Sequence, residues 1–333
     1  MTAKELAKML NVSEASVSLA LNGRSGISEE TRSKILEAAE RFGISKKASN
    51  TVSQRFISLV IFKKHGLVYG ETPFFSAVLE GISASIADAG YLLQISYFYG
   101  NQDYNEQIKI IENSACDGVI FLATEAMKED LKALVTLKKP FVLLDSHSPQ
   151  GSANAVIINN SQGAYNATRY LIDCGHRNIG HLSSSVRIQN FIERQDGVHT
   201  AIREYPDCSL TTVKVESTQD GAYLDMMAYL DTKPDLPSAF FADNDIIAIS
   251  CMRALKEHGL RIPQDVSLVG FDDMPMAYVT SPKLTTIQVP KEALGQQAVR
   301  LLENLISNPS AAALTIEVNT ELIIRDSVKQ INS

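Results

Sequence analysis

The stretch T-A-K-E-L-A-K-M-L-N-V-S-E-A-S-V-S-L-A-L-N, residues 2–22, decides how the rest of the chain is read. It breaks into two short helices around a tight turn. Thr2 and Glu5 have the spacing of a capping box, in which each side chain satisfies the other's backbone N–H. Leu6, Ala7 and Leu10 recur on one helical face. Asn11-Val12-Ser13 interrupts the run, and Ser13 or Glu14 opens a second helix with Val17, Ala20 and Leu21 facing inward. Its opposite face carries Glu14, Ala15, Ser16 and Leu19, small or short enough to approach a surface closely. A third helix starts behind Ser28, a good N-cap, and Ile35, Leu36, Ala39 and Phe42 are expected to complete a three-helix core.

Two short helices about a turn, closed by a third, form the helix-turn-helix arrangement. The second helix enters the DNA major groove while the first crosses the backbone. The same pattern also suits a small interaction domain that never meets DNA. The wording is more specific than the pattern. V-S-E-A-S-V-S-L-A-L-N-G, followed by I-S-E-E-T-R-S-K-I-L-E-A-A, resembles the headpiece of the LacI/GalR (lactose-repressor) family of transcription factors. That resemblance implies base-reading positions at Glu14, Ala15 and Leu19, and phosphate contacts from Ser13, Ser16 and Asn22. Leu19 is a departure, because many relatives carry Arg there, suited to bidentate contact with guanine. Leucine can only touch a thymine methyl or fill space.

A net charge of -7 argues at first against nucleic acid. The first 55 residues hold nine Lys/Arg against six Asp/Glu, whereas the remainder holds 22 against 32. A basic head on an acidic body fits one end meeting phosphate. With 333 residues, 45% of them hydrophobic, the chain has room for two or three domains and a large core. No apolar run is long enough to span a membrane, and no signal-like N-terminus is present, so a cytoplasmic location is expected. Cys116, Cys174, Cys208 and Cys251 are scattered, which suggests neither disulfides nor a zinc site.

Residues 43–55, G-I-S-K-K-A-S-N-T-V-S-Q-R, are polar and read as a linker. The family carries a hinge helix here, which wedges an apolar residue into the minor groove. Ile44, Ser45, Lys46 and Lys47 stand where Tyr or Ile, Pro, Asn and a basic residue are usual, so the proline is missing, and Val52 stands near the wedge position. Lys46, Lys47 and Val52 are therefore candidate DNA contacts in an atypical hinge.

From residue 57 the texture changes to apolar strands alternating with amphipathic helices, which predicts parallel sheets covered on both faces. Strands fall at 57–62, 92–97, 118–122, 141–145 and 156–159. A second series comes next, with strands at 179–183, 212–215, 239–242 and 266–271. Two runs of this kind predict two doubly wound α/β lobes. The last segments, 284–287, 291–306 and 320–325, arrive too late for one lobe and are too short for another. The chain should therefore cross between lobes three times. The resemblance here is to the type I periplasmic-binding-protein fold that the family carries. Its echoes are P-F-F at 73–75, G-H-R-N-I-G at 175–180, the R-x-x-G from Arg194, N-D at 244–245, V-G-F-D-D at 269–273 and L-T-T-I at 284–287. The expected boundaries are a headpiece at 1–43, a hinge at 44–56, and an effector and dimerisation domain at 57–333. Lobe one takes about 57–158 and 289–317, and lobe two about 159–288 and 318–333.

An enzyme is not expected. Phosphate-cradling glycine motifs and a G-x-S-x-G elbow are absent. His176 and His181 do not have the i, i+4 spacing of a helical zinc pair, and flanking glycines suggest that they lie in turns. Asp243 reads as a helix N-cap, and Asp272-Asp273 as adjacent side chains that point apart. No metal or cofactor is called for. A binding cleft suits these residues better, because ligands of open α/β sheets sit beyond the carboxyl ends of the strands. Asp145 and Asp272 end strands, Asn244 comes just after one, and Phe74 and Phe75 precede a helix. The resemblance adds Arg194, and places Arg194, Asn244 and Asp272 at effector-bonding positions. Carboxylates, an amide, a guanidinium and an aromatic wall suit a neutral polyhydroxylated ligand.

The chain is thus expected to be a DNA-binding regulator, a repressor in particular, that binds a palindromic operator as a homodimer under control of a sugar. Two alternatives stay open: the same regulator with a nucleobase effector or a phosphoprotein co-repressor, and a solute-binding protein without DNA function.

Overall fold

The computed structural model describes residues 2–21, 25–42, 44, 55–68 and 73–331. Two units separate, residues 1–54 and 55–333. In the first, α1 (Ala3–Met9), α2 (Glu14–Leu21) and α3 (Glu29–Arg41) form a three-helix cluster. The capping box at Thr2 is made, with Thr2 N donating to Glu5 Oε2 at 2.7 Å and Glu5 N to Thr2 Oγ1 at 3.3 Å. Ser28 caps α3 through the Thr31 N–H. Leu6, Ala7, Val17, Ala20, Ile35 and Ala39 form the core. Leu36 and Phe42, assigned to that core from sequence, are instead 44% and 41% exposed. Helical periodicity allows them inward, but six small and medium side chains already fill so short a bundle.

The second unit begins with β1 (Phe56–Lys63), α4 (Phe74–Asp88), β2 (Leu92–Tyr99), α5 (Tyr104–Asn113), β3 (Gly118–Leu122), α6 (Lys128–Leu134), β4 (Phe141–Leu144) and β5 (Asn154–Ile158). The chain then enters a second lobe. This comprises α7 (Asn160–Asp173), β6 (Asn178–Ser184), α8 (Gln189–Glu204), β7 (Ser209–Val215), α9 (Gln219–Asp231), β8 (Ala239–Ala242), α10 (Asp245–Glu257), β9 (Ser267–Asp272), α11 (Pro275–Val279) and β10 (Thr285–Gln288). It returns through α12 (Lys291–Ser307) and β11 (Thr315–Val318), and crosses once more to β12 (Glu321–Ile323). The sheets run β11-β5-β4-β3-β1-β2 and β12-β10-β9-β8-β6-β7. Among the described residues, all strand pairings are parallel except β10 with β12.

Two sequence expectations fail here. β2 is not covered on both faces: Leu92, Ile95, Tyr97 and Tyr99 are exposed, because β2 is an edge strand. The strand T-I-E-V at 315–318 was not anticipated, since four residues of alternating exposure carry too short a signal.

A close helix contact sets the position of Arg194. A Cβ on Gly197 of α8 would lie 2.2 Å from the Ser161 carbonyl oxygen of α7, so only glycine lets these helices approach this closely. The glycine of the R-x-x-G motif thereby fixes the distance between Arg194 and α7.

Candidate functional site

The cleft between the two lobes is built from strand ends, as the parallel topology dictates. A small cavity there is lined by Val68, Phe74, Phe75, Thr124, Asp145, Ile188, Asn190, Phe191, Arg194, Asn244 and Asp272. All six residues singled out for an effector are among them. Each lobe supplies one strand-end carboxylate, and both stand on left-handed backbone: Asp145 has φ 62° and Asp272 φ 104°. Such backbone is costly outside glycine and survives where neighbours over-determine it. At Asp272 the neighbour is Lys291, at the start of α12, whose ammonium donates to the carbonyls of both Asp272 and Asp273. Asp273 turns away, to the Arg325 guanidinium at 2.6 Å.

Asp145 is fully enclosed. Thr124 Oγ1 donates to its Oδ2 at 2.6 Å and Asn190 Nδ2 to its Oδ1 at 2.8 Å. Burial pushes its carboxyl up to about 6, against those two bonds and the Arg194 charge. Asp272 is also held above the ordinary carboxylate range by burial, opposed by Arg194 and Lys291.

Arg194 is the hub. Only 3% exposed, it donates Nε to Asn160 Oδ1 at 2.9 Å, Nη1 to the Asp243 carbonyl and Nη2 to Asp272 Oδ1 at 3.2 Å. Its guanidinium lies 3.7 Å from the Phe271 ring centroid. Three of its five N–H groups are thereby committed to protein, leaving two for a ligand. Asn244, not Asp243, caps α10, with its Oδ1 accepting from Ile247 N at 2.9 Å.

Asp243 instead pairs with His181 Nε2 at 2.7 Å, both side chains fully buried. His181 therefore lies in the middle of β6 and not in a turn: β6 runs straight through Gly180. Val68 reaches the cavity because buried Glu125 accepts the backbone N–H groups of Lys64, His65, Gly66 and Val68 at 2.9–3.1 Å and holds that loop. Burial alone would raise the Glu125 carboxyl, but His65 and the backbone N–H groups hold it well below the usual range.

Sequence reasoning missed Val68, Thr124, Ile188, Asn190 and Phe191. Two signals were there to find. Asn190 and Phe191 stand four and three residues before Arg194, on the same helical face, and Thr124 lies just past the end of β3, where ligands gather.

In the first unit, Glu14 and Ala15 of α2 are exposed, while Ser16 and Leu19 are half-buried. Ser13 caps α2 through Ser16 N at 3.0 Å. Asn22, Lys46, Lys47 and Val52 lie outside the described residues.

Known proteins share this architecture. A family model described as a periplasmic binding protein-like domain matches residues 168–328. The chain is 30% identical over 340 residues to the HTH-type transcriptional repressor PurR of Mannheimia succiniciproducens, covering 99% of both chains. The chain belongs to the LacI/GalR family of transcriptional repressors. A ribose operon repressor from Haemophilus influenzae is also 30% identical, covering 98% of each chain. Among solved structures, the lac repressor dimer bound to operator and the anti-inducer ONPF matches this LacI/GalR member with a TM-score of 0.74, at 21% identity and 99% coverage of both. The regulator CelR in complex with cellobiose matches with 0.73, at 24% identity and 98% and 99% coverage. The relatives of this LacI/GalR chain are repressors and not enzymes. No described helix is long and apolar enough to cross a membrane.

Proposed function

We propose that this repressor binds a palindromic operator as a homodimer and is controlled by a neutral sugar held between its lobes. The observation that carries the effector reading is the pair Asp145 and Asp272, one from each lobe, facing one small cavity beside Phe74, Phe75 and Phe191. Carboxylates accept from hydroxyls, Asn244 and Arg194 can donate to their oxygens, and phenyl faces cover the apolar side of a sugar ring. Sites on both lobes also let one small ligand favour closure, which is what a population shift requires. The ribose operon repressor among the relatives makes D-ribose the first candidate. A nucleobase is the second reading, favoured by the three phenyl rings available for stacking.

The DNA reading rests on α2, whose exposed Glu14 and Ala15, with Ser13, Ser16 and Leu19, would face the groove. Asn22, Lys46, Lys47 and Val52 complete it, with residues 44–56 as the hinge. The dimer reading is supported by exposed apolar residues on both lobes: Leu92, Ile95, Tyr97 and Tyr99 on β2, and Met276, Tyr278 and Val279 on α11. An uncovered apolar edge strand is an open pairing template, which a partner subunit would close.

Selection from a randomised duplex library at fixed salt tests the first half. A two-fold palindrome is expected, and no enrichment with or without sugars would favour a solute-binding role. Calorimetry with D-ribose, D-glucose, adenine and guanine tests the second. Binding of a purine with no response to either sugar would replace the sugar reading with the nucleobase one.

A further inference from the structure

Glu193, one residue before Arg194 on α8, does not line the cavity. Its side chain is 14% exposed and collects three donors: His147 Nε2 at 2.8 Å, Gln189 Nε2 at 2.9 Å and Asn160 Nδ2 at 3.1 Å. His147 comes after β4 in the first lobe, whereas Glu193, Gln189 and Asn160 belong to the second. Asn160 in turn presents Oδ1 to Arg194 Nε at 2.9 Å. A continuous polar chain therefore runs from His147 at the rim, through Glu193 and Asn160, to Arg194 and Asp272 in the cleft.

We propose that Glu193 is a positioning residue that both latches the two lobes together, through His147, and orients Arg194, through Asn160. This rests on the reading of the cleft as the effector site. The orienting step follows from amide chemistry. Asn160 has a donor end and an acceptor end, and Arg194 can use only the acceptor. Glu193 and the Ile158 carbonyl take the donor end, which fixes Oδ1 toward the guanidinium. Without Glu193 only the longer bond to the Ile158 carbonyl, at 3.3 Å, opposes a turn of the Asn160 NH2 toward Arg194.

The latching step is an ion pair spanning the cleft. The Glu193 carboxylate holds the His147 imidazole above its ordinary range, opposed by burial and aided by Glu317 of β11. Lys128 at the start of α6 borders the same recess. Burial raises Glu193, but the bonds from His147 and Gln189 outweigh it and leave that carboxyl below its usual range. The pair is thus complete while His147 is protonated, and is lost as pH rises through the raised His147 value.

The test uses the full chain without added ligand, so that its failure is distinct from failure of the effector reading. Proton NMR titration of His147, assigned with His147→Gln, should give a midpoint above the ordinary imidazole value that falls in Glu193→Ala. Amide hydrogen exchange then separates the two steps. His147→Gln should speed exchange at the rim, residues 145–148 and 189–192, by about tenfold, the loss of one charged hydrogen bond, and remove the part of its rise with pH that exceeds ordinary base catalysis of exchange. It should leave the Asn160 and Arg194 segments unchanged. Glu193→Ala should loosen the rim and those segments together. An unshifted His147 midpoint, or variants that match the wild type or each other in exchange, would overturn the proposal.

Discussion

Asn190 Nδ2 of the second lobe donates to Asp145 Oδ1 of the first at 2.8 Å, with both residues buried. The bond joins the two lobes through the carboxylate that we propose for the effector. On that reading, ligand binding and closure would compete for, or share, the same oxygen atoms.

Asp145→Asn should raise the stability of the free protein at pH 7 while weakening effector binding. With its carboxyl raised to about 6, Asp145 favours the folded state below about pH 4, and that contribution is lost as pH rises through 6. Removing the charge should gain up to about 3 kcal/mol at neutral pH. Thermal melts of both proteins should converge near pH 4. A variant less stable at pH 7 would show that the carboxylate is better solvated than its burial implies.

Arg194→Ala should do more than abolish the effector response. It leaves Asp272 buried without its nearest cation and the Asp243 carbonyl without that donor, a loss of about 3–5 kcal/mol. Denaturant titration measures this directly, and a loss under about 1 kcal/mol would mean that water replaces the guanidinium.

Gly197→Ala should cost about 1–3 kcal/mol by overpacking α8 against α7, and should shift Arg194 away from Asn160. Weaker effector binding with retained operator binding is the expected pair of results. Unchanged stability would mean that the helices separate at little cost.

Ile95→Lys on the exposed edge of β2 should move the protein from dimer toward monomer in sedimentation and weaken operator binding accordingly. A dimer of undiminished affinity would remove β2 from the interface.

Leu19→Arg should change the selected base in each half-site, because arginine can present two donors at once to a guanine edge where leucine has none. An identical selected sequence would show that residue 19, already half-buried, faces the helix core and not the groove.

Much of this was legible in the sequence because it depends on local patterns. The Thr2–Glu5 capping box, the apolar strands and the strand-end position of Asp145 and Asp272 are set by neighbours in the chain. What could not be read depends on distant partners. Asp243 caps no helix because His181, 62 residues away, and the Ser184 N–H occupy its two carboxylate oxygens. Asn160, Glu193 and His147 lie on three separate elements, and nothing in their local sequence announces that they meet. Leu36 and Phe42 satisfy the helical period yet remain exposed, since periodicity names a face and not what covers it.

The order of the strands bears on synthesis. β11 completes the first sheet and β12 the second, and both come after every other strand of either lobe. A growing chain therefore carries two unfinished sheets, with β5 and β10 as open edges, until residues 315–323 emerge. Premature termination near residue 310 would leave both lobes incomplete at once, a species with two sticky margins and suited to chaperone capture or degradation.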